Sequence, residues 1–258
     1  MSTFLWESIA FGPIHSRRLG QSLGINLMPL DEKICTFNCL YCECGWTLEK
    51  NLNAREPYPL NTVMEAIEHK LADCREKGTS VDSITFSGNG EPTLYPWFDQ
   101  VIDRLLVLRD KYYPEAVITC LSNATQLFRP EIVEALKRIE NPMLKLDAGT
   151  QEMLNIVNAP IVPVNIEQVT EQLCSFDGNV IIQTMFLSGE QDGKMFDNSV
   201  DPEWSHWLDR IRRIRPKRLV IYSLDRETPA LKLHKFDKPY LEALATKLRA
   251  ENFNAESF

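Results

Sequence analysis

The chain has 258 residues, 44% of them hydrophobic and 25% charged, a composition typical of a globular protein with one large core. Its formal net charge of −8 argues against a large nucleic-acid surface, because such a surface needs an excess of lysine and arginine. The odd count of seven cysteines, with no signal-peptide pattern in residues 1–30 and no apolar run near ~18 residues, predicts a cytoplasmic protein in a reducing compartment.

The first predicted elements surround a cysteine-rich loop. Residues 24–27 form a short predicted strand, and residues 1–22 are expected to be an extension packed against the main fold. Residues 48–59 are polar and contain prolines, which is typical of a loop. A helix is then predicted to start with Asn61 as its cap and to stop at Gly78. The apolar positions of this helix are Met64, Ile67, Leu71 and Cys74.

The rest of the chain alternates between predicted strands and predicted helices. Five more strands are predicted, at 81–87, 116–122, 143–147, 179–187 and 218–224. The strand at 218–224 is expected to be the last in the chain. The five further helices begin near residues 97, 130, 166, 201 and 239. Six strands alternating with six helices predict an α/β protein with a parallel sheet and helices outside it. Six units are too few for a closed eightfold barrel, and no linker divides residues 1–258, so we expect a single domain.

Three thiols lie within eight residues, with the spacing C-x3-C-x2-C, at Cys35, Cys39 and Cys42. Thiolate is the ligand that zinc and the iron of iron–sulfur clusters prefer. Three thiolates suit a cubane cluster with one iron left open for a substrate or cosubstrate. A closed zinc site needs a fourth ligand, which Cys44 or His15 would supply. Both kinds of site are compatible with the spacing.

Polar or glycine-rich residues follow the predicted strands, at the strand ends where barrels of this kind gather their function. After the second strand, Gly88 and Gly90 allow the backbone to approach a ligand closely. A dinucleotide-binding fingerprint is excluded, because Thr93 stands where its third glycine would fall. The other polar strand ends are residues 122–123, 147–149, 188–189 and 225–227.

The strand at 143–147 carries a lysine and an aspartate on one face. Alternation directs Lys145 and Asp147 to the interior, while Leu144 and Leu146 face the helices. An interior lysine needs a partner, so the two residues either neutralise each other or contact substrate or cosubstrate. A pKa lowered by burial would let Lys145 act as an acid, a base or a carbonyl-binding amine.

Some of the other residues could have a binding role or a structural role, and the rest are assigned a structural role only. Arg17 and Arg18 suit a phosphate or carboxylate, or form surface salt bridges. The basic run at 212–218 is either the solvated end of a helix, where cations are favourable, or an RNA site. Cys74, Cys120 and Cys174 lie in apolar segments and are assigned to the core.

The cysteine loop, with Tyr41 before its last cysteine, resembles the cluster loop of the radical S-adenosylmethionine superfamily. Residues 87–92 resemble the glycine-glycine-glutamate motif of that superfamily, in the form G-x-G-E-P. Residues 16–26 and 145–148 resemble the branch close to wyosine-type tRNA-modifying synthases. The resemblance covers about residues 11–235 and implies an open, partial barrel of six βα units.

The resemblance implies a [4Fe–4S] cluster on the three cysteines, whose fourth iron chelates S-adenosylmethionine. The turn at 88–91 would hold the methionyl amino group. Asn123 matches part of a threonine-asparagine-glycine turn near the adenosyl group, with Ser122 and Ala124 as departures from it. Gln183 is either a ribose contact or a satisfied core amide. The residues expected to bind cosubstrate are Tyr41, Gly88, Asn89, Gly90, Glu91, Ser122, Asn123, Asp147 and Gln183.

The implied reaction begins with one electron from a reduced flavodoxin or ferredoxin. That electron cleaves the sulfonium into methionine and a 5′-deoxyadenosyl radical, which abstracts hydrogen from a substrate. The substrate is a tRNA base, as in the resembling branch, or a small molecule or peptide. Some wyosine-type synthases carry a second cluster, for which this chain has no further cysteine group. A zinc-stabilised, non-catalytic binding module, with Cys44 as the fourth ligand, is the alternative of a different class.

Overall fold

The computed structural model describes residues 4–48, 52, 55–225 and 228–258. The strands are β1 (Ala10–Ser16), β2 (Gly20–Ile25), β3 (Ser83–Phe86), β4 (Val117–Ser122), β5 (Asn141–Lys145), β6 (Ile181–Met185), β7 (Leu187–Gln191), β8 (Lys194–Asp197), β9 (Arg218–Tyr222), β10 (Leu233–Lys235) and β11 (Ala255–Ser257). The helices are α1 (Leu60–Glu76), α2 (Phe98–Tyr112), α3 (Pro130–Lys137), α4 (Gln151–Val157), α5 (Ile166–Cys174), α6 (Glu203–Ile214) and α7 (Lys238–Ala250).

The main sheet has eight strands in the order β1-β2-β3-β4-β5-β6-β9-β11. Every pair from β2 to β11 is parallel, and only β1 pairs antiparallel with its neighbour β2. Parallel neighbours need crossover connections, which the helices supply. Because β1 and β11 are the two edges of the sheet, the barrel is open. The predicted α/β class and open partial barrel are confirmed.

The outer face of the sheet forms the main core with the helices. Alternate strand residues such as Ile84, Ile118 and Leu144 have no exposed surface and pack into one hydrophobic cluster with the apolar faces of α1, α2 and α3. Burying each such side chain contributes about 1.5–3 kcal/mol before conformational entropy is counted. The helices therefore hold the sheet from outside and leave its inner face for the site.

The inner face is polar on one side and apolar on the other. A row of hydroxyl groups crosses β2, β3 and β4, with oxygen–oxygen distances of 2.7 Å from Ser22 to Thr85, 3.0 Å from Thr85 to Ser83 and 2.9 Å from Ser83 to Thr119. The row continues to β5, where Asn141 donates to Thr119 at 3.3 Å. On the other side lies a small apolar cluster with the members Met143, Ile181, Val220, Leu19, Leu121, Tyr222 and Phe258.

Several features of the fold differ from the sequence prediction, among them the additional helix α4. The expected N-terminal extension supplies β1, a strand of the main sheet. Asn61 is not a helix cap, because α1 begins at Leu60, and its side chain accepts a hydrogen bond from Arg104 at 2.9 Å. The strand predicted at 179–187 is divided between β6 and β7, because residues 187–191 join a small antiparallel sheet with β8 and β10. Finally, the 218–224 strand is not the last, since β11 pairs beside β9.

None of the helices in the described part of the chain is long and apolar enough to cross a membrane.

Candidate functional site

The cysteine loop connects β2 to α1 and lies across the carboxyl ends of the central strands. Its first part is tied to the turn after β3, because Ile34 donates to the Asn89 carbonyl and accepts from Glu91, both at 2.9 Å. Its middle is tied to the end of α4, where the Leu40 amide donates to the Val157 carbonyl at 3.0 Å. These main-chain bonds fix the loop from two sides.

Two of the cluster thiols receive side-chain amide donors. The amide nitrogen of Asn123 lies 3.4 Å from the sulfur of Cys35, and that of Asn158 lies 3.4 Å from the sulfur of Cys39. Both cysteines are buried, and burial raises the pKa of the Cys35 thiol to about 12, although the charge of Lys33 opposes the shift. Such thiols ionise only with a partner that compensates their charge, as a metal does.

A buried lysine supplies positive charge beside these thiols. Lys33 is 4% exposed and donates to the Gly45 carbonyl at 2.9 Å. Burial by itself lowers the pKa of Lys33. The neighbouring Cys42, Cys35 and Cys39 together raise it by more than burial lowers it, so the net shift is upward. The ammonium group therefore stays charged and is available to balance negative charge on the thiolates.

The glycines after β3 are required by close packing against the cysteine loop. Gly90 has a φ of +143°, and a β-carbon there would overlap the carbonyl oxygen of Ile34. A β-carbon at Gly88 would overlap the side chain of Asn26. Between them Asn89 donates to the carbonyl oxygens of Trp6 at 2.9 Å and Pro29 at 2.8 Å.

Glu91 joins the turn after β3 to the turn after β4. Its carboxylate accepts hydrogen bonds from the main-chain amide and the hydroxyl of Thr93. It also accepts from the Ser122 hydroxyl at 2.8 Å and from the main-chain amide of Asn123 at 2.7 Å. Burial raises the pKa of Glu91, and these donors counteract the shift. Three of these donors reach one carboxylate oxygen of Glu91 and one reaches the other, so the side chain holds the two turns together.

Asp147 joins four segments of the site. Its carboxylate accepts from the hydroxyl of Tyr41, from the Asn158 amide at 2.7 Å and from the Met185 main-chain amide at 2.8 Å. The Lys145 ammonium lies 3.5 Å from the same carboxylate. Asn158 thus contacts both Asp147 and Cys39, so that β5 is linked to the cysteine loop.

Lys145 lies beside Asp147, as in one of the two alternatives from the sequence, and its pKa is raised, whereas the suggested role as a base required a lowered one. Burial by itself lowers the pKa of Lys145, while the Asp147 carboxylate and Tyr222 raise it, and the net shift is upward. Lys145 donates to the Tyr222 hydroxyl at 3.3 Å and lies 5.0 Å from the ring centre of Tyr41. A raised pKa favours the protonated amine, in which Lys145 is a hydrogen-bond donor and a positive charge beside Asp147.

The remaining predicted residues separate into interior and surface positions. Gln183 is 4% exposed beside Lys145 in the sheet and donates to the Met143 carbonyl at 3.3 Å, which matches a satisfied core amide. Arg17 forms an exposed ion pair with Asp225 at 2.7 Å. Residues 188–189 belong to β7 and not to an end of the main sheet. Arg226 and Glu227 lie outside the described residues.

The basic run at 212–218 makes surface ion pairs with acidic residues of other elements. Arg212 pairs with Glu251 at 2.8 Å, and Arg213 pairs with Glu167. Arg212 and Arg213 thus lie in the exposed last turn of α6, whereas Arg218 begins β9.

Cys44 lies near the cluster thiols without forming a closed metal site. Its thiol is 3.4 Å from the Gly88 carbonyl, and its hydrogen bond to Cys42 lowers the pKa of Cys42. His15 is exposed on β1. Within the described ranges, no three cysteine, histidine, aspartate or glutamate side chains converge on one ion. Each thiolate of a cubane binds a different iron, so Cys35, Cys39 and Cys42 need not converge.

The sequence did not reveal Lys33, Asn158 or Tyr222 as site residues. Asn158 follows α4, a helix with no clear periodic signal in the sequence. Lys33 precedes Cys35 by two positions, and a lysine so close to a thiol motif is the one signal that was available. Tyr222 ends β9, and its alternation with Val220 would have directed it to the interior.

Known proteins resemble this chain in sequence and in fold. A UPF0026 protein of Methanocaldococcus jannaschii is 30% identical over 184 residues, covering 70% of this chain and 54% of that protein. SuiB of Streptococcus suis bound to S-adenosylmethionine has a TM-score of 0.62 at 18% identity, over 88% of this chain and 48% of that one. TYW1 with a lysine-pyruvate adduct bound has a TM-score of 0.61 at 15% identity, over 90% of this chain and 74% of that one.

The two structures share the fold with this chain. The chain spans about half the length of the curated relatives it matches, with 54% and 58% of the length of the first two covered. The family model of the radical SAM superfamily matches residues 33–198, which include the cysteine loop, the turn after β3 and the Asp147 network. The chain therefore belongs to the radical SAM superfamily of enzymes, and the resemblance expected from the motifs is confirmed.

Proposed function

We propose that Cys35, Cys39 and Cys42 hold a [4Fe–4S] cluster with which this chain cleaves S-adenosylmethionine reductively. The observation that carries the proposal is the pair of amide donors, Asn123 on Cys35 and Asn158 on Cys39. When bound, the cluster and S-adenosylmethionine supply a 5′-deoxyadenosyl radical that abstracts hydrogen from a substrate.

The protein groups around the thiols orient them and compensate their charge. Hydrogen bonds to sulfur and nearby charge are the means by which proteins adjust cluster potentials. Asn123 and Asn158 supply the hydrogen bonds, and the ammonium of Lys33 supplies the positive charge. These three groups are therefore expected to make reduction of the cluster easier than three bare thiolates would allow.

The cosubstrate is proposed to lie between the turns after β3, β4 and β5. The main chain of Gly88, Asn89 and Gly90 and the turn at Ser122–Asn123 form the surface nearest the cysteine loop. Glu91 shapes these turns, because its oxygens accept from Thr93, Ser122 and Asn123. Asp147 likewise orients Tyr41, whose ring borders the site, and Gln183 lies on the same inner face.

The substrate is proposed to enter the open face of the barrel, as a tRNA base, a small molecule or a peptide. A reduced flavodoxin or ferredoxin is the expected electron donor. The buried, reduced thiols suit the cytoplasm, where cysteines are kept unoxidised.

The test uses protein purified without oxygen, with iron, sulfide and zinc measured before incubation with dithionite and S-adenosylmethionine. About four irons per chain, as a cubane requires, and released 5′-deoxyadenosine are expected. Cys35→Ala, Cys39→Ala and Cys42→Ala should each lose both, whereas Cys174→Ala, which changes a half-buried thiol of α5, should keep both. Stoichiometric zinc without cleavage in the wild type would contradict the proposal.

A further inference from the structure

Two cationic side chains flank one tyrosine on the inner face of the barrel. The guanidinium carbon of Arg18 lies 4.7 Å from the ring centre of Tyr222. The Lys145 ammonium lies 5.9 Å from the same ring centre and donates to its hydroxyl at 3.3 Å. Tyr222 ends β9 beside Met185 of β6, so that both cations belong to the inner face of the sheet.

The two cations differ in how far the protein satisfies them. Asp147 lies 3.5 Å from the Lys145 ammonium. By contrast, the Nη1 atom of Arg18 is buried without a hydrogen-bond partner among the described residues. A buried donor without an acceptor costs about 1–3 kcal/mol, and more when it is charged. An acceptor that arrives with a ligand would remove this cost.

The neighbouring arginine, Arg17, has an acidic partner at the surface. Arg17 is exposed and forms an ion pair with Asp225 at 2.7 Å. In a chain whose net charge is −8, acidic partners are abundant. In spite of that abundance, no described residue accepts a hydrogen bond from the Nη1 atom of Arg18.

Tyr222 also connects this point to the cysteine loop. It packs both against the small apolar cluster of the inner face, with Met143 and Val220, and against the cluster around Cys39 and Tyr41. The Lys145 ammonium lies 5.0 Å from the Tyr41 ring. A molecule with one end at Arg18 would therefore extend past Lys145 toward the cysteine loop.

We propose that Arg18 and Lys145 bind an anionic group of the substrate, a carboxylate or a phosphate, against the face of Tyr222. This inference rests on the proposed function, since it concerns the substrate of the same site. A guanidinium fork pairs with two oxygens of either anion, and the Lys145 ammonium, 3.5 Å from Asp147, adds a second positive charge. The substrate class is accordingly a molecule with a terminal acidic group.

The test measures anion binding by the reconstituted enzyme and by matched variants. Inorganic phosphate and acetate are titrated separately by calorimetry, at ionic strength held constant with chloride. In the wild type and in Arg17→Gln, at least one of the two anions should bind. In Arg18→Gln that affinity should fall by about tenfold or more, as expected for a lost charged hydrogen bond, and Arg18→Lys, which keeps the charge, should lie between.

Phosphate binding alone would identify a phosphorylated substrate, and acetate binding alone a carboxylate. No binding of either anion, or equal binding in Arg18→Gln and the wild type, would overturn the inference. A similar loss in Arg17→Gln would move the anion to the surface and overturn it as well.

A second measurement separates this inference from the proposed function. Cleavage of S-adenosylmethionine by dithionite without substrate, and the affinity for S-adenosylmethionine, should be unchanged in Arg18→Gln. If that variant instead loses affinity for S-adenosylmethionine, Arg18 serves the cosubstrate and the inference fails while the proposed function stands. If the wild type itself does not cleave S-adenosylmethionine, the proposed function fails whatever the anion titrations show.

Discussion

Asp147 is the residue on which the geometry of the site depends most. It accepts hydrogen bonds from Tyr41, Asn158 and Met185 and lies beside the Lys145 ammonium. A buried carboxylate is stable only when its hydrogen-bonding capacity is filled. The same bonds orient the cysteine loop, so that the stability of the fold and the position of Cys42 are coupled through one side chain.

We expect Tyr41→Phe to lower the free energy of unfolding of the metal-free protein by about 1.5–3 kcal/mol, the usual contribution of a hydrogen bond to a charged group. The change removes one donor from the buried Asp147 carboxylate and leaves the ring. The measurement is urea unfolding followed by circular dichroism.

Tyr112→Phe is the matched control, because Tyr112 donates to Glu68 at 3.0 Å on the surface. Solvent replaces such a donor, and the loss should stay below about 1 kcal/mol. Equal losses in the two variants would show that the hydrogen bond from Tyr41 to Asp147 stabilises the fold no more than a surface hydrogen bond does.

At the scale of elements, the row of hydroxyls on the inner face connects four neighbouring strands. Thr119 has no exposed surface and contacts both Ser83 and Asn141. The row fills half of the inner face with polar groups that satisfy one another. Strand alternation directs these residues inward, and the partners are decided by strand order and register.

We expect Thr119→Val to destabilise the protein by about 1–3 kcal/mol, because the change keeps the shape and leaves Ser83 and Asn141 with one partner fewer. Thr79→Val, at an exposed position after α1, should change stability by less than about 0.5 kcal/mol. Chemical denaturation of both variants is the measurement, and no difference between them would contradict a role for the row.

At the scale of the whole molecule, the order of the main sheet places the N-terminal strand and the last strand at its two edges. β1 is formed by Ala10–Ser16 and β11 by Ala255–Ser257, and all central strands share the one large core. Interior positions contributed by the chain ends, Leu19 and Phe258, belong to the same small cluster as Met143. The sheet therefore connects the beginning and the end of the described chain.

We expect the metal-free protein to unfold in a single cooperative transition, as a single domain does. Tryptophan fluorescence reports on five residues that extend from Trp6 near the beginning of the chain to Trp207 in α6, while far-UV circular dichroism reports on the helices. The two signals should have the same midpoint in urea. Two separated midpoints would contradict a single domain over residues 1–258.

The sequence by itself determined the features that depend on short stretches of chain. The thiol spacing, the G-x-G-E-P turn and the alternation of Lys145 with Leu144 and Leu146 are local patterns, and so are the apolar stripes of the helices. They were sufficient for the superfamily, the α/β class and the open six-unit barrel, and they left the pairing of Lys145 with Asp147 as one of two alternatives. The cap at Asn61 was wrong because the first turn of a helix has several candidate positions for its start.

Only the tertiary structure decided what depends on residues distant in the chain. The direction of the Lys145 pKa is the sum of a burial effect and of charges from Asp147 and Tyr222, and no local pattern gives that sum. The amide donors Asn123 and Asn158 reach their thiols across 88 and 119 positions of sequence. Sequence patterns extend over a few residues, whereas hydrogen bonds and charges act through space, so only the folded chain assembles the site.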